Sequence, residues 1–169
     1  MRNKVLWRMT ATVMAALVSF EMPAVTAMAS EAGRAIEVPE EVREISEELG
    51  SRYSICPELI QAVCFKESSF RPDAVSDDCI GIMQVSERWH KDRMERLGVT
   101  ELTDIRGNMT VGVDYLAELF NEYEDAGAAL MKYNGDSRLG KLIDGTGDLS
   151  EYADEVLALS AELERRNGK

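Results

Sequence analysis

Apolar residues in this chain recur three and four positions apart over segment after segment, and nowhere alternate over a useful length. That period commits the chain to helices packed on helices. From Pro39, Val42, Ile45 and Leu49 share one face, with acids around them and Gly50 as the expected stop. Pro57 opens a second helix through Ser68. Ser86 is a good cap for a third, carrying Trp89, Met94 and Leu97 up to Gly98. A longer one spans about Asn108 to Tyr123, with Val111, Tyr115, Leu116, Leu119 and Phe120 inward. Ala126 to Tyr133 follows, ending at Asn134-Gly135, and Leu149 to Arg165 is a last amphipathic helix. Phe70 to Asp78 and Asp136 to Asp148 read as turns and loop, and the short apolar run Ile80 to Val85 fits no period. The expectation is a mostly α single domain over residues 38–165, preceded by a linker at 30–37.

The first 29 residues follow a different logic. Arg2, Lys4 and Arg8 precede an uncharged run from Met9 to Phe20, and Ala27-Met28-Ala29 supplies small residues at signal-peptidase offsets. Twelve residues are too few to span a bilayer, so residues 1–29 read as a cleaved signal peptide and the mature protein as secreted, without stable membrane insertion. Cleavage after Ala29 removes three basic residues and one acidic one, taking the formal charge from -12 to -14. Such a chain is ill suited to nucleic acid, whose phosphates must be neutralised by Lys and Arg. It is equally ill suited to anionic membrane surfaces.

Outside the cytoplasm the three cysteines, Cys56, Cys64 and Cys79, allow one disulfide. With residues 57–68 helical, Cys56 and Cys64 stand about 12 Å apart along the axis, too far to bridge. The choice is Cys56–Cys79 or Cys64–Cys79. Cys64 falls in an apolar stripe where a free thiol packs as a small hydrophobe, which favours Cys56–Cys79. Three cysteines with the single His90 do not make a structural zinc site.

The chemistry concentrates at the end of the second helix. Ile60, Val63 and Cys64 form its apolar stripe, and the next position on that stripe is Glu67. Desolvation there favours the protonated carboxyl, the form a general acid needs near neutral pH. Glu67-Ser68-Ser69-Phe70, then Pro72, Ala74 and Ser76, then Gly81-Ile82-Met83-Gln84, resembles the signature of lytic transglycosylases of the SLT, goose-lysozyme-like kind. Asn108, Gly112, Tyr115 and Leu116 match that family's Asn-x-x-x-Gly-x-x-Tyr-Leu helix, Tyr133-Asn134 its Ala-Tyr-Asn motif, and Tyr152 with Val156 its closing helix. Four motifs in order cover about Pro39 to Leu163.

The resemblance implies a lysozyme-like domain that cleaves peptidoglycan glycan strands between N-acetylmuramic acid and N-acetylglucosamine. Glu67 would be the catalytic acid. Met83 and Gln84 would line the sugar groove, Tyr133 would stand beside Glu67 and orient it, and Ser76 would hydrogen-bond near the site. The family's route is substrate-assisted, leaves 1,6-anhydromuramyl ends and requires no metal or cofactor. Two departures bear on subsite preference: Lys132 replaces the alanine before Tyr-Asn, and Gly135-Asp136-Ser137-Arg138 replaces Ala-Gly-Pro-Gly. Two rivals remain. One is a goose-lysozyme-like hydrolase using Asp73, Asp77 or Asp78 to activate water. The other is a catalytically silent glycan-binding protein.

Overall fold

The helix opened by Pro57, α2 (Pro57–Ser68), is wrapped on all sides rather than along one stripe, with Glu58 to Cys64 buried without a break. The computed structural model describes residues 36–169; the expected signal peptide and most of the linker lie outside that range. Before α2 comes α1 (Glu40–Tyr53), whose buried face is Val42, Ile45 and Leu49 as its period requires. α1 runs through Gly50 instead of stopping there, because the chain reverses later: the Ile55 N–H donates back to the Gly50 carbonyl at 3.0 Å, after Ser54 in the left-handed region.

After α2 the chain forms a small antiparallel sheet in the order β1 (Val75–Ser76), β2 (Cys79–Ile80), β3 (Val85–Ser86), with Ser76 opposite Cys79 and Ile80 opposite Val85. Two-residue strands are too short to show alternation, which is why this sheet leaves no trace in the sequence pattern. Then follow α3 (Glu87–Leu97), α4 (Ile105–Tyr123), α5 (Ala126–Tyr133), the single turn and a half α6 (Leu139–Ile143), and α7 (Glu151–Arg166). α6 falls in the segment expected to be loop. Asp104, Asp125 and Ser150 cap α4, α5 and α7 with side-chain acceptors. Ser86 occupies the cap position of α3, but its hydroxyl makes no capping bond and is buried in the cleft wall described below.

α2 packs on α1 and α7, α4 packs on α1, α3 and α5, and α5 closes on α7. The core between them holds Ile45, Leu49, Ile60, Ile82, Met83, Met109, Leu116 and Leu130, all with 1 % exposure or less. No described helix is long and apolar enough to cross a membrane. The expected disulfide is absent: Cys56, Cys64 and Cys79 are all free thiols. Cys56 occupies the cap position of α2, where its thiol bonds to Glu58, whereas Cys79 stands on β2, where it feels the charge of Glu67 from the other end of that helix.

Candidate functional site

Glu67 sits in the last turn of α2, half-buried, where α7 crosses it. The Tyr152 hydroxyl of α7 donates to its Oε1. Burial pushes the Glu67 carboxyl above its ordinary range; the Tyr152 hydrogen bond and the Lys66 charge oppose but do not cancel this. The last turn of a helix also carries negative dipole charge, which acts in the same direction as burial. Burial and the Glu67 charge raise the Tyr152 phenol, so it remains a proton donor in that bond.

Beside Glu67 the segment Gly81–Gln84 turns tightly and is fixed from three directions. From α2, the Ser68 hydroxyl donates to the Ile82 carbonyl at 2.8 Å. From α4, Asn108 Oδ1 accepts the Met83 N–H at 2.9 Å while its Nδ2 donates to the Ile80 and Leu102 carbonyls, each at 2.8 Å. From α5, the Tyr133 hydroxyl donates to the Met83 carbonyl at 2.9 Å. The approach is close enough to dictate residue type. A β-carbon on Gly81 (φ +82) would stand 2.4 Å from the Leu102 carbonyl oxygen, and one on Gly112 would stand 2.7 Å from Met83 Sδ and 3.0 Å from its Cβ. Family-matching Asn108, Gly112 and Ser68 therefore build the turn. Gln84 takes φ +48, with its amide on the Gly81 and Ala74 carbonyls at 2.9 and 3.2 Å.

A cleft of about 590 Å³ opens here, lined by Cys79, Gln84 and Tyr133 on the Glu67 side and by Trp89, His90 and Tyr115 farther along. Glu67 itself is not among the residues that line it, but its charge raises the pKa values of two that are, Tyr133 and Cys79, in both cases behind the larger effect of burial. Of the residues expected at the site, Gln84 and Tyr133 line the cleft, and Met83 and Ser76 do not. Met83 is fully buried against Gly112, so it belongs to the core and reaches the site through its backbone alone. Ser76 lies exposed on β1. Tyr133 is not the residue that holds Glu67; it holds the turn, and Tyr152 holds the acid. Sequence reasoning missed that exchange, although the Tyr152–Val156 match marked the helix that carries it. It also missed Trp89 and His90, which no motif singled out. Lys132 and Asp136, the positions that depart from the family pattern, both line the cleft.

The SLT transglycosylase domain model matches residues 44–154, which runs from within α1 to the first turn of α7. This chain belongs to the SLT transglycosylase family. It is 34% identical over 84 residues to a membrane-bound lytic murein transglycosylase F of Desulfosudis oleivorans, a match covering 49% of this chain and 18% of that protein. It is 29% identical over 132 residues to protein IpgF of Shigella flexneri, covering 70% of this chain and 82% of that one. The chain thus spans less than a fifth of the first relative and most of the second. An inactive mutant of the lytic transglycosylase Slt from Pseudomonas aeruginosa superposes with a TM-score of 0.66 at 19% identity, over 78% of this chain and 25% of that one. The fold is accordingly the mostly α, lysozyme-like one of SLT domains, as the motifs implied.

Proposed function

We propose that this SLT-family protein is an exported lytic transglycosylase that cuts the β-1,4 bond between N-acetylmuramic acid and N-acetylglucosamine in peptidoglycan, with Glu67 as acid and then base. The observation that carries the reading is the carboxyl of Glu67, kept towards its protonated form by burial, oriented by Tyr152 and acting on the cleft residues Tyr133 and Cys79. Other acids nearby are differently placed. Asp73, Asp77 and Asp78 are exposed. Glu118 and Asp136, which line the cleft, are engaged by Arg93 and Arg138 at 2.6 and 2.7 Å. That disposition favours one working carboxyl over the acid–nucleophile pair of ordinary glycosidases.

In the proposed route Glu67 gives its proton to the bridging oxygen as the C1–O bond breaks, and the muramyl 2-acetamido group supports the developing oxocarbenium. The Glu67 carboxylate then takes the proton of the same sugar's 6-hydroxyl, whose oxygen closes on C1. The product is a 1,6-anhydromuramyl end and no water is consumed. Residues 1–29 direct export in this reading, and the substrate lies in the cell envelope.

Digestion of purified peptidoglycan, followed by mass measurement of the fragments, tests the proposal. Products one water lighter than the hydrolytic set are expected. Glu67→Gln should bind glycan strands, fold normally and lose roughly 10²–10⁴-fold or more of cleavage. Reducing ends would instead indicate the hydrolase, with Asp73, Asp77 and Asp78 next for substitution. Binding without cleavage by the parent chain would indicate a silent glycan-binding protein.

A further inference from the structure

Apolar surface also lies open beyond the cleft, around the C-terminal end of α4. Ile143 at the end of α6 is 62% exposed, and Leu149, in the approach to α7, is 37% exposed. Single exposed apolar residues are ordinary, but these two share one hollow of about 680 Å³ with Tyr123, Ala128 and Leu142. Leu149 is seated there by a missing side chain: a β-carbon on Gly127 of α5 would stand 2.2 Å from Leu149 Cδ2. A second hollow of about 280 Å³, floored by Ile55, Leu59 and Phe120, adjoins the first, and Asp125 borders both.

The charge around these hollows has one sign. Glu122 and Asp125 line the first, Glu124 and Asp125 line the second, and no cation lines either. Among the described residues none of the three carboxylates is in an ion pair. Glu122 accepts from the Tyr123 hydroxyl and Asp125 from the Ala128 N–H, both uncharged donors. The cleft treats its acids differently, matching Glu118 and Asp136 each with an arginine. An apolar floor under unmatched carboxylates asks for an occupant that is both apolar and cationic. A second copy of the chain would bring its own charge of -12, and an anionic lipid surface its phosphates, so both are repelled.

We propose that the two hollows form a docking groove for a cationic amphipathic segment of another protein. Apolar side chains of that segment fill both hollows, and a lysine or arginine between them meets Asp125. The groove is separate from the cleft. Of the residues of α6, Leu139 lines the cleft and Leu142 and Ile143 line the groove, so a docked segment leaves the cleft open. Docking of this kind does not depend on what Glu67 does.

A fluorescein-labelled Leu/Lys amphipathic helical peptide, followed by anisotropy, is the probe. It should bind saturably, whereas a Leu/Glu peptide of the same pattern should not. Replacing Ile143 and Leu149 together by serine should weaken binding by roughly tenfold or more. Ile143→Ser alone, at an exposed position, keeps the test open if the double variant melts early. Asp125→Asn retains a cap for α5 and should weaken binding roughly two- to fivefold, a difference that shrinks as salt is raised. The peptide should not compete with peptidoglycan for the cleft. Several results overturn the groove: no binding, equal binding of the Leu/Glu peptide, binding indifferent to the serine variants, or competitive inhibition of cleavage. So does a dimer, or attachment to phosphatidylglycerol vesicles, that the serine variants abolish, because a second copy or a lipid surface would then be the occupant.

Discussion

Glu58 and Glu67 stand at opposite ends of α2, and their surroundings drive the same side chain in opposite directions. Burial resists ionisation at both. At Glu58, hydrogen bonds from Lys169, Asn167 and Cys56 overcome it and hold the carboxyl at about 2; at Glu67 burial prevails over Tyr152 and Lys66. The native state therefore holds the Glu67 proton more tightly than the unfolded chain does, and stability falls as pH rises from 4.5 through the folded value. Glu67→Gln removes that penalty. It should unfold at higher denaturant than the parent at pH 7.5, and the gain should vanish at pH 4; urea melts at the two pH values check this. Tyr152→Phe makes the opposite test of orientation. Losing the bond that favours the carboxylate should move the alkaline limb of the pH–rate profile to higher pH, while misorientation lowers kcat by roughly 10- to 100-fold. An unmoved limb would show that Tyr152 does not tune the acid.

Among elements, the turn at Gly81–Gln84 is the place where three helices converge, and its geometry depends on α4 more than on its own residues. Asn108 accepts the Met83 N–H and donates to the Ile80 and Leu102 carbonyls. Asn108→Ala leaves those groups buried and unpaired, at about 1–3 kcal/mol or more of stability. Gly112→Ala drives a methyl group into Met83, whose β-carbon cannot yield as its terminal methyl can, and costs about 1–3 kcal/mol. Both variants should lose cleavage beyond what unfolding explains, because the turn carries Gln84 and abuts Glu67. Thermal melts paired with kcat on the folded fraction separate the two effects. Full activity per folded molecule in both would show that the turn is a structural support alone.

At the scale of the whole molecule, the last residues of the described chain close on the start of its central helix. Asn167 and Lys169 reach Glu58 at 2.8 and 2.7 Å, across more than a hundred positions of sequence. Glu58 is almost completely buried, so the carboxylate left by losing these partners would be costly, although Lys169 itself is half in water and its share is discounted accordingly. With a folded value near 2 against an ordinary 4.5, the contribution is complete above pH 4.5 and lost as pH falls towards 2. Glu58→Ala should lower stability by about 1–3 kcal/mol at pH 7, with the gap to the parent closing below pH 3 in urea titrations. A gap that persists at low pH would assign the loss to packing instead of charge.

The sequence by itself determined the helices, because their 3.6-residue period, their caps and their proline and glycine boundaries are local properties of the chain. It determined the family for a related reason: Glu67, Gly81–Gln84, Asn108, Gly112, Tyr133 and Tyr152 keep their order and spacing whether or not one knows what each touches. Only the tertiary structure decided how those residues divide the work. Tyr133 and Tyr152 are alike as letters, and it is the crossing of α7 over α2 that gives Glu67 to Tyr152 and the Met83 carbonyl to Tyr133. Met83 looks like a groove residue until Gly112 is seen to make room for it in the core, and Trp89 looks like a core residue until α3 turns it to the cleft. The cysteines were misread for the same reason. Which thiols can meet depends on the length and direction of α2, and the spacing of three letters does not contain that. Contacts between residues far apart in the chain are set by packing angles, and those emerge only when all the faces are buried at once.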